Sequence, residues 1–375
     1  MRRVALGEVA TIERSVVDPA TLDRDTPYLG LEHIARGGEI IGSDSIGGAE
    51  LASAKHRFDD GHVLFGKLRP NLGKVARPSF SGVCSTDILP IRPGANLDRD
   101  YLVHFLRQPS MVDYAATRTT GANLPRLSPA TLATFKVPLP RIAEQRRIAA
   151  ILDQADATRT KRRQILTHLD TLTQSTFHAM FGDAEDGQPL GEHLAFLTSG
   201  SRGWAKYYAD SGSVFIRIQN VRGATLDRSD LAFVDAPDNA EARRTQVQPG
   251  DVLLSITADL GRTAVVPDDL GKAYISQHLA ILRAPRLAPL FLAHYLESTR
   301  GRASLMHENR GQTKDGLNFE NIRSVCVPDV PVERQAEFAR RAHAIAAHRD
   351  EVVRALAVDD ELFASLQARA FRGEL

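Results

Sequence analysis

Between Pro140 and Gly182 the chain contains neither Pro nor Gly, and its side chains return to one line at alternating steps of four and three. Ile148, Leu152, Ala155, Arg159, Arg162, Leu166, Leu169, Thr173, Thr176 and Met180 make up that line. Such spacing is the seam of a helix packed along another helix. It predicts one long helix over 141–184, stopped by Gly182 just past the last seam position. Between Asp156 and Gln164 the run TRTKRR puts charge on every side and interrupts the seam.

The same pattern returns at the end of the chain, over 332–375. Laying Phe371 on Phe181 sets an offset of 190 residues, at which Gln335 falls on Gln145, Phe338 on Ile148, Ile345 on Ala155, Arg349 on Arg159 and Leu356 on Leu166. The segments before the two helices share the repeat: LGEHLAFLTSG from Leu190 matches LGEVATIERS from Leu6. Alternating apolar positions predict strands over 28–34, 58–65, 85–91 and 135–139, with their counterparts over 214–221, 247–255 and 273–282. Residues 101–114 read as an amphipathic helix matched by one starting near 291, and Ser128 reads as a helix cap. The expected fold class is therefore α+β, a tandem pseudo-repeat: a mixed domain over 1–140, a helix over 141–184, a second domain over 185–331 and a last helix over 332–375. Two seams of matching register in one chain most simply pack on each other.

With 375 residues, two domains are the size prior. A formal net charge of +1 excludes a global polycation, so any nucleic-acid surface must come from local clusters of Arg and Lys. Cys84 and Cys326 lie in short apolar runs and read as buried strand thiols, with no disulfide or zinc framework. The absence of a long apolar run predicts a cytoplasmic protein without a membrane partner. Phosphate-loop, HExxH, GxSxG and dinucleotide fingerprints are missing, and so is an Asn-Pro-Pro-aromatic or Asp-Pro-Pro-aromatic methyltransferase motif. His33, His62 and His278 occur singly and make no ligand set. No catalytic or metal residue is assigned.

Loops carry the remaining chemistry. Lys67, Arg69, Asn71, Lys74 and Arg77 share one Gly- and Pro-shaped stretch, and Arg118, Asn123 and Arg126 another. In the second half, Arg202, Trp204 and Lys206 interleave basic and aromatic residues, Arg217, Gln219, Asn220 and Arg222 follow a strand, and Arg310, Gln312 and Lys314 precede the last short elements. Arg, Asn and Gln can grip two base-edge atoms at once, while Lys and Arg neutralise phosphates, so these residues are the candidate DNA contacts. Similar scaffolds with unlike loops suit two readers of two different targets.

The run PLPRIAEQRRIAAILDQAD, the MFGD closing the central helix, the terminal AFRGEL and the order domain, helix, domain, helix resemble the specificity subunit of Type I restriction-modification systems. The second helix start, VPVERQAEF, keeps Gln335 but lacks counterparts of Ala143 and Glu144. The resemblance implies two target-recognition domains reading the halves of a bipartite double-stranded DNA target. It implies an antiparallel coiled coil that sets the spacer and docks partners, with Gln145, Ile148, Leu152, Leu166, Leu169, Phe181, Gln335, Phe338, Ile345, Leu356, Phe363 and Phe371 as candidates for the helix pair and subunit interface. The chain itself would be non-catalytic and bind no cofactor. Two DNA methyltransferase subunits would bring S-adenosylmethionine, and restriction/translocase subunits ATP and Mg. From the residues alone, a stand-alone nuclease or methyltransferase with an unrecognised site, or a coiled-coil protein-interaction adaptor, stays open.

Overall fold

The computed structural model describes residues 2–13, 16–49, 51, 53–307 and 316–375. The chain divides into two compact units, one made of Met1–Arg163 with Arg354–Leu375, the other of Gln164–Val353. Both long helices are present, Ile142–Phe181 and Val332–Arg372, and each unit owns part of each. No helix among the described residues is long and apolar enough to cross a membrane.

In the first unit, an antiparallel four-stranded sheet runs in the order Ala10–Ile12, Ile88–Pro93, Val63–Gly66, Val75–Ala76. Its inner face joins Tyr101, Leu102 and Phe105 of the helix Arg99–Leu106 in one core with Ile148 and Leu152 of the central helix and Phe371 of the terminal one. A second, five-stranded sheet contains a parallel pair, Pro27–Leu29 beside Gly82–Cys84. Arg3–Ala5 pairs with Lys136–Pro138 and brings the chain's start to the foot of the central helix.

The second unit has a four-stranded sheet in the order Phe196–Ser199, Leu279–Arg283, Val252–Ser255, Thr263–Val265, and again a parallel pair, Ser213–Ile216 beside Ala273–Ile275. Phe291 and Tyr295 of the helix Pro289–Glu297 share a core with Phe177 and Phe181 of the central helix and Phe338 of the terminal one.

Every predicted seam position of the central helix is at least partly covered, with Ile148 and Leu152 buried in the first unit's core. Within the first unit the terminal helix beside it runs antiparallel: Phe371 packs in the core that holds Ile148, while further along Arg159 and Arg163 meet Asp360 and Arg162 meets Asp359. The Arg159 guanidinium also lies 4.2 Å from the centre of the Phe363 ring. Three residues of the charged interruption thus face the partner helix, with carboxylates waiting for them. In the second unit the same kind of pair, Arg349 to Asp170 at 2.7 Å, joins the two helices.

Some predicted elements are shorter than their apolar pattern. The strand expected over 28–34 is Pro27–Leu29 followed by the 3-10 turn Leu31–His33, because the His33 imidazole accepts from Gly30 N at 2.9 Å and turns the chain. The strand over 214–221 stops as Ser213–Ile216 for the same reason, with Asn220 Oδ1 accepting from Arg217 N at 2.9 Å. Of the stretch 85–91 only the part within Ile88–Pro93 is strand, the strand Gly82–Cys84 before it belonging to the other sheet, and the helix over 101–114 breaks at Pro109 into Arg99–Leu106 and Pro109–Ala116. Ser128 does cap Pro129–Ala133, accepting from Thr131 N at 3.0 Å. Cys84 is fully buried, which pushes its thiol up and leaves it unreactive, whereas Cys326 is only partly covered.

Candidate nucleic-acid interface

Three loops of the first unit are stitched together by backbone hydrogen bonds at one end of the four-stranded sheet. Lys67 N donates to Asp87 O at 2.9 Å, Leu127 N to Lys67 O at 2.9 Å and Arg69 N to Pro125 O at 2.8 Å. Thr120 and Arg126 exchange two more, closing a small hairpin with Gly121 at φ +97°. Arg69 itself adopts φ 49°, ψ 61°, a left-handed conformation that costs a non-Gly residue of the order of 1 kcal/mol and is held here by Pro70 and the Pro125 carbonyl. The consequence is that side chains about fifty residues apart in sequence share one surface.

On that surface Arg69, Asn71, Arg118 and Asn123 are exposed and Lys67 half-buried. The Arg118 guanidinium stacks 3.4 Å from the centre of the Tyr114 ring. Arg126 is held in a two-pronged pair by Asp87, at 2.9 and 3.3 Å. Two predicted contacts turn inward instead. Lys74 Nζ donates to Leu31 O at 2.7 Å, and Arg77 grips Asp153 of the central helix at 2.6 and 3.1 Å. Burial pushes the Asp153 carboxyl up, but donation from His104 and Arg77 overrides it and holds the group well below the usual carboxylate range. Arg77 therefore ties the loop's end to the long helix.

The second unit repeats the junction with other side chains. Ile256 N donates to His278 O at 2.9 Å and Leu317 N to Ile256 O at 2.9 Å, while Thr257 pairs with Gly316. Ala258 takes the left-handed place that Arg69 holds, at φ 62°. Nearby, a shallow cleft is lined by Arg222, Gly223, Asp259, Arg262, Glu297 and Arg302. Arg222 and Arg302 are exposed there, and Arg262 pairs with Asp259.

Several predicted contacts in this unit stand elsewhere. Trp204 is 5% exposed, packed between Phe215 and Tyr274 at ring separations of 5.1 and 5.0 Å, and donates Nε1–H to Ser201 Oγ at 3.0 Å. It is a core residue and offers no face for stacking on a base. Asn220 is likewise buried, its amide spent on the carbonyls of Asp227 and Asp230 and on Arg217 N, so it shapes the turn and cannot reach a base edge. Arg217 and Gln219 both bind Asp230, at 3.1 and 2.8 Å. Arg202 and Lys206 are exposed, with the Lys206 ammonium 4.9 Å from the Tyr207 ring centre. Arg310, Gln312 and Lys314 lie outside the described residues. Arg262, Arg302 and Asp87 escaped the sequence reading; Asp87 and His278 both sit just before a sheet strand, which an alignment of the two halves at that strand would have flagged.

Each domain is tied to the long helix that follows it by one glutamine. Gln145 is fully buried, its Oε1 accepting from Asp98 N at 2.8 Å and its Nε2 donating to Asn96 O and Pro140 O at 2.9 Å. Gln335 does the same for Ala288 N at 2.9 Å and Val330 O at 2.8 Å. Among the described residues no group of His, Cys, Asp or Glu is arranged to hold a metal ion.

Comparison with known proteins bears directly on this arrangement. Residues 2–170 match the family model of the Type I restriction modification DNA specificity domain. The chain is similar to the Type I restriction enzyme EcoKI specificity subunit of Escherichia coli K12, 26% identical over 339 residues that span 79% of this chain and 69% of that protein. It is similar also to the StySPI specificity subunit of Salmonella potsdam, 25% identical over 324 residues, with the same shares covered. In fold it matches the Type I restriction-modification S subunit from M. genitalium, with a TM-score of 0.63 at 12% identity over 98% of this chain and 95% of that one. A chain from a study of complex assembly and conformational transition of the type I R-M system gives a TM-score of 0.62 at 22% identity, covering 100% and 98%. The matched domain model and the relatives similar over most of the chain all come from specificity subunits of Type I restriction-modification systems.

Proposed function

We propose that the chain is the non-catalytic, sequence-reading subunit of a Type I restriction-modification complex, each domain reading one half of a split, asymmetric double-stranded DNA target. The observation that carries this is the three-loop junction, built twice on the same strand order with unlike side chains at matching places. The two domains, over 1–140 and 185–331, are a tandem pseudo-repeat, and the helices over 141–184 and 332–375 form an antiparallel coiled coil. The ion pairs Arg159 to Asp360 and Arg349 to Asp170, which are related by the 190-residue offset, support that reading. Forty helical residues span about 60 Å, enough for the pair to set the unread spacer. The helices also dock two methyltransferase subunits that bring S-adenosylmethionine, and restriction/translocase subunits add ATP and Mg.

Salt dependence of DNA binding tests the loop assignment. Lys67 makes no side-chain pair among the described residues and stands beside Arg69 and Asn71. In the assembled complex, Lys67→Ala should weaken binding to all duplexes alike and make the slope of log K against log salt shallower by about 0.9, one phosphate contact. An unchanged slope and affinity would remove this loop from the interface.

A further inference from the structure

At the second junction three side chains form a hydrogen-bonded chain. His278 Nε2 lies 2.9 Å from the Gln277 amide nitrogen and His278 Nδ1 lies 2.5 Å from Thr257 Oγ1. An amide nitrogen only donates, so His278 Nε2 must accept. The imidazole proton then sits on Nδ1 and is donated to Thr257 Oγ1. This leaves Gln277 with its Oε1 and one N–H unspent. All three residues are half-buried, and the His278 backbone is locked by its carbonyl accepting from Ile256 N. At the matching place in the first unit stands Asp87, whose carbonyl accepts from Lys67 N but whose carboxylate is consumed by Arg126.

The station therefore carries a carboxylate closed in an ion pair in one domain and, in the other, a histidine that orients its neighbour's amide with open valences. One acceptor and one donor on a planar amide match the major-groove edge of adenine, which offers an N7 acceptor and an N6 donor; no other base presents that pair in that groove. We infer that Gln277, oriented by His278 and Thr257, reads an adenine in the half-site recognised by the second domain. This inference rests on the two-reader function proposed above.

The test is duplex binding by the complex of this chain with its methyltransferase subunits, each base pair of the target being substituted in turn. Gln277→Ala should lower discrimination at one A·T pair of one half-site on the order of tenfold or more, leaving every position of the other half-site as in the wild type. Gln277→Glu keeps the shape and removes the donor, and should move preference at that pair from adenine towards cytosine, whose N4 donates to a carboxylate. Retained discrimination in the untouched half-site reports that both variants are folded. Wild-type stringency at every position in both variants, or relaxation confined to the other half-site, overturns the assignment. An undivided wild-type target would overturn the two-reader function and this inference with it, whereas a split target indifferent to Gln277 overturns this inference alone.

Discussion

Replacing Gln145 by Met keeps the length of the side chain and removes all its hydrogen-bonding capacity. Three groups would lose their partner: the Asp98 amide and the carbonyls of Asn96 and Pro140. A buried polar group left without a partner costs about 1–3 kcal/mol, so the substitution should destabilise this corner by about 3 kcal/mol or more. Asp98 is also the cap of Arg99–Leu106, its Oδ1 accepting from Asp100 N and Tyr101 N at 3.0 Å. The damage should therefore spread into that helix. Hydrogen exchange followed by mass spectrometry on the intact chain reads this locally. Peptides covering 94–106 and 140–150 should exchange roughly a hundredfold faster, as about 3 kcal/mol of opening free energy implies. Peptides covering 285–297 should be unchanged. Gln335→Met should give the reverse map with a smaller effect, since two partners of Gln335 are fixed rather than three. Unchanged protection around Asp98 in Gln145→Met would refute the view that this glutamine holds the domain to its helix.

Three further outcomes are expected. Phe371 packs against Tyr101 and Phe105 at 5.1 and 5.6 Å, so Phe371→Ala should cost about 3–5 kcal/mol in the domain at the opposite end of the sequence. Loss of amide protection in Val63–Gly66 and Ile88–Pro93 would show it, and loss in Val252–Ser255 alone would contradict it. Burial pulls the His294 imidazole down from 6.5 to about 4. Between those values the unfolded chain binds a proton that the folded chain does not, so the second unit should lose roughly 3 kcal/mol as pH falls through that window. Asp153, held low, has its stabilisation intact until about pH 4, below which the unfolded carboxylate protonates, so at pH 5 only the second unit should have lost protection, and His294→Phe should flatten the difference. Finally, Asp359→Ala should lower the melting temperature by stranding Arg162, whereas Arg162→Val with Asp359→Leu, the residues found 190 positions away at Val352 and Leu169, should recover it. A double variant no better than the single one would count against a seam interaction.

The long central helix was legible because helix periodicity acts over forty residues. Gln145 and Gln335 were legible as a matched pair, although their bonds to Asp98 and Ala288 were not. Long-range partners are what spacing omits. Arg77 looked like a free loop cation until Asp153 appeared opposite it, 76 positions on. Arg217 and Gln219 stand apart in the sequence from Asp230, the exposed carboxylate that binds both. Trp204 sat among basic residues in sequence, yet a ring of its size between two aromatic strands gains more by burial than by exposure. Apolar alternation also overran the strand ends at Leu29 and Ile216, because a capping His or Asn turns the chain without breaking the pattern.

Mapping methylated adenines in cells decides whether two separable readers exist. The chain is expressed with its methyltransferase subunits, first intact and then with residues 1–140 replaced by the matching segment of a related subunit. Two readers held on a helical frame predict that the intact chain directs methylation to a split motif, and that the exchange changes one half of it while the other half and the spacer persist. A folded, assembled chimera that changed both halves, or changed the retained half alone, would contradict that division of labour.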